Sequence, residues 1–271
     1  MEVEFLGVRG SYPVTGKDFV KFGGHTSCVV IKGRETILIL DAGTGIIKLK
    51  KAKNLPEKGE YHLFFSHYHL DHIQGLFFAD FLFKDDSKVS FYGPTIFNYR
   101  LEDVMEILSL PIFSPYSFFE LPKKIQLIEL RDRESLSVGE FKVKAMKSHA
   151  HPKGGVMIYS VEKEGKKVVY ATDTEGYVGS DTKLINFAEG ADLLIHDAQY
   201  MMKEYTQGCQ GFGHSTPEMA AEVARRARVR KLVLFHHDPE HSDEEIKEIE
   251  KKAREIFPDT IAAYEGLIEI L

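Results

Sequence analysis

The stretch YHLFFSHYHLDH (61–72) decides how this chain is read. Its first half, YHLFFS (61–66), is a short apolar run of the kind that forms a buried strand. Its second half sets His67, His69, Asp71 and His72 within six consecutive positions. Alternate residues of an extended segment point the same way, so His67 and His69 can share one metal ion. The pattern then becomes helical in DHIQGLFFADFLF (71–83), which lets Asp71 and His72 reach a second ion. Imidazole and carboxylate suit a borderline divalent ion such as zinc, with manganese or iron accepted by the same set. The competing reading is a solvated histidine-rich loop. Four ligand-type side chains rarely meet this tightly without a metal to hold.

Outward from this stretch, strands alternate with polar strand ends. EVEFLGV (2–8), CVVIKG (28–33), ETILILDAG (35–43), KVSFYG (88–93), QLIEL (126–130) and GEFKVKAMKS (139–148) have strand character. VMIYSVEKEGKKVVYAT (156–172), DLLIHDA (192–198) and KLVLFHHD (231–238) follow, and TIAAYEGLIEIL (260–271) reads as a short closing strand. Helical spacing appears at 97–109, at STPEMAAEVARRARV (215–229) and at SDEEIKEIEKKAREIF (242–257). The second of these has Ser215 or Thr216 as N-cap, Pro217 at the first helical position and Glu218 in the first turn. LPIFSPYSFFELPKKI (110–125) fits neither period and reads as an irregular loop carrying aromatics. No linker or repeat interrupts the order, which predicts one α/β domain with two sheets over residues 1–271.

Composition narrows the function. The 271 residues are 43% hydrophobic and 28% charged, as in an ordinary globular protein, and the net charge of -6 offers nucleic acid no global basic field. Cys28 and Cys209 are too few for a disulfide framework and are not spaced as a metal pair, so both are expected to be reduced thiols. The N-terminus lacks the pattern of a signal peptide and no run has the length of a membrane span, so the cytoplasm is the expected compartment.

Chemistry-bearing residues recur where strands end, because a strand fixes the backbone while the next loop stays open. Asp41 follows ILIL, Asp173 follows VVYAT, Asp197 lies in LLIHD, and His236-His237 follows LVLF. His149 and His151 follow FKVKAMKS, and His214 precedes a helix. Asp173 alone would be a turn residue; in this company it is a carboxylate able to bridge two ions. The residues themselves leave the choice open within each histidine pair. Asp41 fits a carboxylate that orients a ligand histidine through its second ring nitrogen. His62 reads as structural, and His25 and His241 as loop residues.

GGHTSCVVI, LILDAGTG, SHYHLDHIQGL, HPKGG, YATDTEG, FGHST and LFHH occur here in the order found in the metallo-β-lactamase superfamily. Along nearly its whole length the chain resembles that family, most closely the branch of ribonuclease Z and related phosphodiesterases, including those of cyclic phosphates. The resemblance implies a four-layer αββα sandwich with a dinuclear site between its sheets. It implies that His67, His69 and His151 bind the first ion, that Asp71, His72 and His236 bind the second, and that Asp173 bridges them. His151 before PKGGVMIY fits the family pattern better than His149. His214 matches the family's catalytic histidine that binds no metal. Asp197 stands where ribonuclease Z has a glutamate that holds this ring, one methylene longer.

The implied reaction is hydrolysis of a phosphodiester by a hydroxide held between two divalent ions, with Asp71 and His214 moving protons. Ribonucleases Z usually carry a long arm rich in glycine and proline and have glycine where this chain has Leu70. The arm is not found here. Both points favour a small or cyclic phosphodiester, such as a nucleotide, over tRNA. Phe113, Tyr116, Phe118 and Phe119 can line a pocket for a base or pack on the protein body. The resemblance also implies a homodimer. Rival readings are a β-lactamase, which usually lacks the equivalent of His72, a thioesterase of the glyoxalase II kind, which GHST argues against, and a metal-loaded binding protein.

Overall fold

The computed structural model describes residues 1–52, 55, 59–83, 88–121, 125–176 and 181–271. Two sheets dominate it. The first holds β1 (Glu2–Gly7), β2 (Cys28–Lys32), β3 (Thr36–Leu40), β4 (Glu60–Phe64), β5 (Lys88–Pro94) and β6 (Gln126–Leu130) in chain order, with β14 (Ile268–Ile270) outside β1. The second runs β13 (Thr260–Ala262), β12 (Leu232–Phe235), β11 (Leu193–Asp197), β10 (Lys166–Ala171), β9 (Val156–Lys163), β8 (Phe141–Ser148), β7 (Ser135–Val138).

The central strands are apolar on both faces because both faces are covered. Val29, Ile31, Leu38 and Leu40 meet Tyr159, Val168, Ile195 and Phe235 in the core between the sheets. The alternate residues Cys28, Val30, Ile37 and Ile39 pack outward under Ile46, Leu76 and Met105. On the second sheet Val169, Leu194 and Leu234 face outward against Leu184, Ala220 and Ala253. Those residues lie on helices α3 (Thr182–Ala188), α4 (Pro217–Ala227) and α5 (Asp243–Ile256). On the first sheet the outer cover includes α1 (Leu70–Ile73) and α2 (Leu101–Leu108). Helix, sheet, sheet and helix layers make an αββα sandwich.

Strand direction places the site. β3, β4, β5 and β6 are parallel, as are β10, β11, β12 and β13. The carboxyl ends of β3, β4, β10, β11 and β12 carry the residues singled out above. Parallel sheets expose their functional loops at such ends.

Three local readings are corrected. The helical pattern of 71–83 is one α turn, α1, followed by 3-10 turns at Leu76–Phe78 and Asp80–Phe83. TIAAYEGLIEIL is two strands in different sheets, because Gly266 takes a positive φ of 89° and turns the chain from β12 to β1. Strand β7 and helix α3, capped by the Asp181 side chain, have too short a pattern to stand out in the sequence. The cap at 215–229 is Thr216, whose hydroxyl accepts from Met219 N. Of the aromatic loop 110–125, residues 122–124 lie outside the described residues.

Candidate metal centre

Three strand-end residues that turn their loops into the site, Asp41, Asp173 and His236, have positive φ values of 61°, 50° and 62°. Non-glycine residues rarely adopt this conformation, and it concentrates where side chains must be aimed. Three groups of ligand-type atoms result, each with its atoms within 4.8 Å of one another. His67, His69, His151 and Asp173 form one, Asp71, His72, Asp173 and His236 form another, and Asp197, His214 and His236 form a third, in which His214 Nδ1 donates to Asp197. Asp173 belongs to the first two. Its Oδ2 is 3.6 Å from His67 Nε2 and 4.0 Å from His151 Nε2, while its Oδ1 is 3.1 Å from His72 Nε2 and 3.3 Å from His236 Nε2. Asp71 Oδ2 is 3.2 Å from both His72 Nε2 and His236 Nε2.

The rings are aimed by their far nitrogens. Asp41 Oδ2 accepts from His72 Nδ1 at 2.8 Å, and Asp41 also accepts from Ser66 N, Ser66 Oγ and the Tyr170 hydroxyl. Ser66 Oγ lies 3.0 Å from His67 Nδ1. His151 Nδ1 faces the Gly213 carbonyl at 3.3 Å, and His236 Nδ1 faces Gln199 Oε1 at 2.9 Å. Each arrangement turns Nε2 toward the cluster, where His151 Nε2 lies 3.2 Å from His69 Nδ1 and His72 Nε2 lies 3.3 Å from His236 Nε2.

The paired histidines separate cleanly. His151 is buried in the cluster, while His149 is exposed. His237 turns away, with Nε2 on the Ala263 carbonyl at 2.9 Å and its ring edge-on to Phe22. His62 faces the Tyr92 hydroxyl from its strand.

Charge and burial fit divalent cations. Asp41, Asp71, Asp173 and Asp197 are all buried, and among the described residues no lysine or arginine pairs with them. Buried carboxylates need a counter-charge. Burial pushes His72 down, but Asp173, Asp71 and Asp41 outweigh it and raise its pKa well above the usual value: without a cation, a proton takes that place. Burial also opposes ionisation of Asp71, yet His72 and His236 hold its carboxyl well below the usual carboxylate range. Burial lowers His67 far and His151 to about 4, which leaves both imidazoles neutral with a lone pair to donate. His67 Nε2 is buried and has no hydrogen-bond partner, as a metal-facing nitrogen would be.

Asp197 and His214 form a second layer. Asp197 Oδ2 accepts from His214 Nδ1 at 2.8 Å and from Asp173 N at 3.1 Å, and its Oδ1 accepts from Ser215 N at 2.8 Å. The shorter aspartate therefore reaches the ring, because β11 delivers it at its end. Burial disfavours the imidazolium, but Asp197 and then Asp173 and Asp71 raise His214 to about 9. The ring stacks on His236 at 4.9 Å and 13°.

Sequence reasoning passed over four participants. Ser11 N donates to Asp71 Oδ2 at 2.8 Å. Gln199 orients His236, and Tyr170 helps hold Asp41. Glu175, in YATDTEG, accepts from Tyr205 Oη, Gly211 N and Gly213 N, tying the His214 loop to the Asp173 loop. Its position two residues after Asp173 was the available signal.

A cavity of about 510 Å³ opens beside His67, His69 and His151. Phe113 lines it; Tyr116 and Phe118 pack into the outer core of the first sheet, and Phe119 does not touch it.

Fold and site together define a metal-dependent hydrolase that binds divalent ions. The chain belongs to the metallo-β-lactamase superfamily: the model of the beta-lactamase superfamily domain matches residues 36–237. Within it the chain resembles the ribonuclease Z branch. Ribonuclease Z of Enterococcus faecalis is 24% identical, over 96% of this chain and 94% of that protein. Among solved structures, the metallo-beta-lactamase fold protein YhfI of Bacillus subtilis superposes with a TM-score of 0.77 at 21% identity, covering 99% of each chain. Human tRNase Z, short form, gives 0.71 at 24% identity, covering 100% of this chain and 99% of its own. Among the described residues no helix is long and apolar enough to cross a membrane.

Proposed function

We propose that the protein is a phosphodiesterase acting on a small or cyclic phosphodiester. One observation carries the reading: a protonatable histidine, His214, is held by Asp197 beside, but outside, two ligand sets that share Asp173. His67, His69 and His151 hold one divalent ion, Asp71, His72 and His236 hold the other, and Asp173 serves both. Zinc is the expected ion, since neutral imidazoles dominate the donors. When bound, the pair supplies Lewis-acid charge and acidifies water toward neutrality. Asp71, beside the ions, would take up the proton of the attacking water. His214, charged at neutral pH, gives a proton to the departing oxygen, and Asp197 keeps the ring in the tautomer that presents Nε2. The two sheets share one core, which supports reading residues 1–271 as a single hydrolase domain.

RNA is the second reading, favoured by the names of the relatives. The alignment with the Enterococcus faecalis enzyme spans 302 positions but takes 96% of 271 residues, about 260, so about 40 of those positions have no residue of this chain. That shortfall agrees with a missing substrate-gripping arm and favours the smaller diester.

The test is to load the protein with zinc and assay bis-p-nitrophenyl phosphate, a thioester and a β-lactam. Turnover of the diester alone is expected, and His214→Ala should lower kcat by about 100-fold or more with both ions retained. Absence of diester turnover at full metal occupancy overturns the reading; loss of metal in His214→Ala overturns its assignment outside the ligand sets.

A further inference from the structure

The cavity beside the metal centre is lined almost wholly by carbon. Leu70, Ile73, Phe97, Val104, Ile107 and Phe113 supply much of its wall. Several of these would be costly to leave in water: Leu70 is 69% exposed, Phe97 67% and Phe113 58%. Apolar side chains that cluster at the mouth of a site, with solvent access, mark a surface that an apolar ligand covers.

The polar groups on the wall are few, and two of them are already engaged. The Tyr68 hydroxyl donates to the Pro94 carbonyl at 2.7 Å, and Gln74 Nε2 donates to Thr26 Oγ1 at 3.3 Å. Lys153 stands exposed at the rim, next to Pro152 and His151. Reading a base edge requires free donors and acceptors at fixed positions, and following a polynucleotide requires a run of cations. Among the described residues the wall adds only Tyr99 and the rim Lys153 to Tyr68 and Gln74, too few for either. Of the metal-centre side chains, the cavity touches His67, His69 and His151, so its occupant lies directly against the set these three form with Asp173.

We infer that this cavity is the subsite for an uncharged apolar or aryl group esterified to the scissile phosphate, and that Leu70, Ile107 and Phe113 set that specificity. The inference rests on the phosphodiester reading and narrows it to apolar esters. Leu70 is the residue between the two halves of the ligand cluster, so one position both follows His69 and shapes the pocket. Removal of the group's apolar surface from water supplies the selectivity, and the metal centre fixes the phosphoryl end.

Phenylphosphonate and methylphosphonate separate binding from chemistry, because neither is hydrolysed. Titrated calorimetrically into the zinc-loaded protein, the phenyl compound should bind at least tenfold more tightly. Ile107→Glu and Phe113→Ala, both at partly exposed positions, should each bring that ratio below threefold. The ratio of kcat/KM for bis-p-nitrophenyl phosphate over methyl p-nitrophenyl phosphate should fall in parallel. Equal affinity for the two phosphonates, or a ratio untouched by both substitutions, overturns the inference. So does a short single-stranded RNA cleaved with tenfold higher kcat/KM than any aryl diester. A phenyl preference without diester turnover leaves the subsite standing and removes the phosphodiesterase reading; turnover without the preference does the reverse.

Discussion

Gly10 is the position at which a single methyl group should remove one metal ion. A Cβ there would lie 2.3 Å from His236 Cε1, 2.4 Å from Nδ1 and 2.9 Å from Nε2. Ordinary contact begins near 3.4 Å, so the ring must retreat by about 1.1 Å. It has nowhere to go without loss. The ring stacks on both His214 at 4.9 Å and His72 at 5.3 Å, and Nδ1 faces Gln199 at 2.9 Å. Gly10 does not have a positive φ, so alanine adds no backbone strain and the whole effect falls on the ring. Overpacking of this kind costs about 1–3 kcal/mol. Metal–ligand distances tolerate only about 0.2 Å, so the set containing His236 loses its ligand geometry while the His67–His69–His151 set does not. Gly10→Ala should therefore bind about one ion per chain where the proposed dinuclear centre binds two. The assay is elemental analysis after loading with excess zinc and gel filtration, paired with a thermal melt to show that the fold persists. Two ions retained with unchanged affinity would refute the placement of His236 as a ligand.

Other outcomes follow from the same geometry. Asp41→Ala should destabilise the fold by about 3–5 kcal/mol, read by denaturant unfolding, because it strands the buried Ser66, Tyr170 and His72 groups that donate to this carboxylate. Asp197→Asn should act mainly above neutral pH. His214 is raised to about 9 from an ordinary 6.5, so the stabilisation this gives is complete below 6.5 and fades as pH rises through 9. In the loaded enzyme Asp173 and Asp71 face the ions, so Asp197 is what holds the imidazolium; with its charge removed the alkaline limb of a kcat profile should move to lower pH, with activity falling more near pH 8 than near pH 6 from this cause. An equal loss at both pH values would show that Asp197 does not govern that proton. Finally, Ellman's reagent should titrate Cys209 in the native protein and both thiols after denaturation, because Cys28 is buried and burial pushes its thiol well up.

The ligand cluster 67–72 was legible because period-two spacing on a strand and a turn into helix act within a few residues. Two sheets were legible from the order of strands and helices, and the four layers from the family resemblance; the apolar runs at 28–31, 37–40 and 193–195 agree with strands covered on both faces. The last strand was not. Splitting TIAAYEGLIEIL between sheets depends on β12 and β1 waiting on either side, which no local pattern records. Helix α3 was missed because seven residues hold too little periodicity.

The sequence by itself determined the donor types, the strand ends that carry them and the family to which they belong. Those are properties of neighbours along the chain. Tertiary structure brought His151 and His236 into the cluster and left His149 and His237 out of it, since neighbouring positions differ only in which way the loop aims them. It also decided that aspartate is long enough at 197 and that Leu70, Ile107 and Phe113 share one wall. Residues as far apart as 70 and 113 meet only when α1, α2 and the loops around them pack over one sheet, so their shared chemistry exists in the folded chain alone.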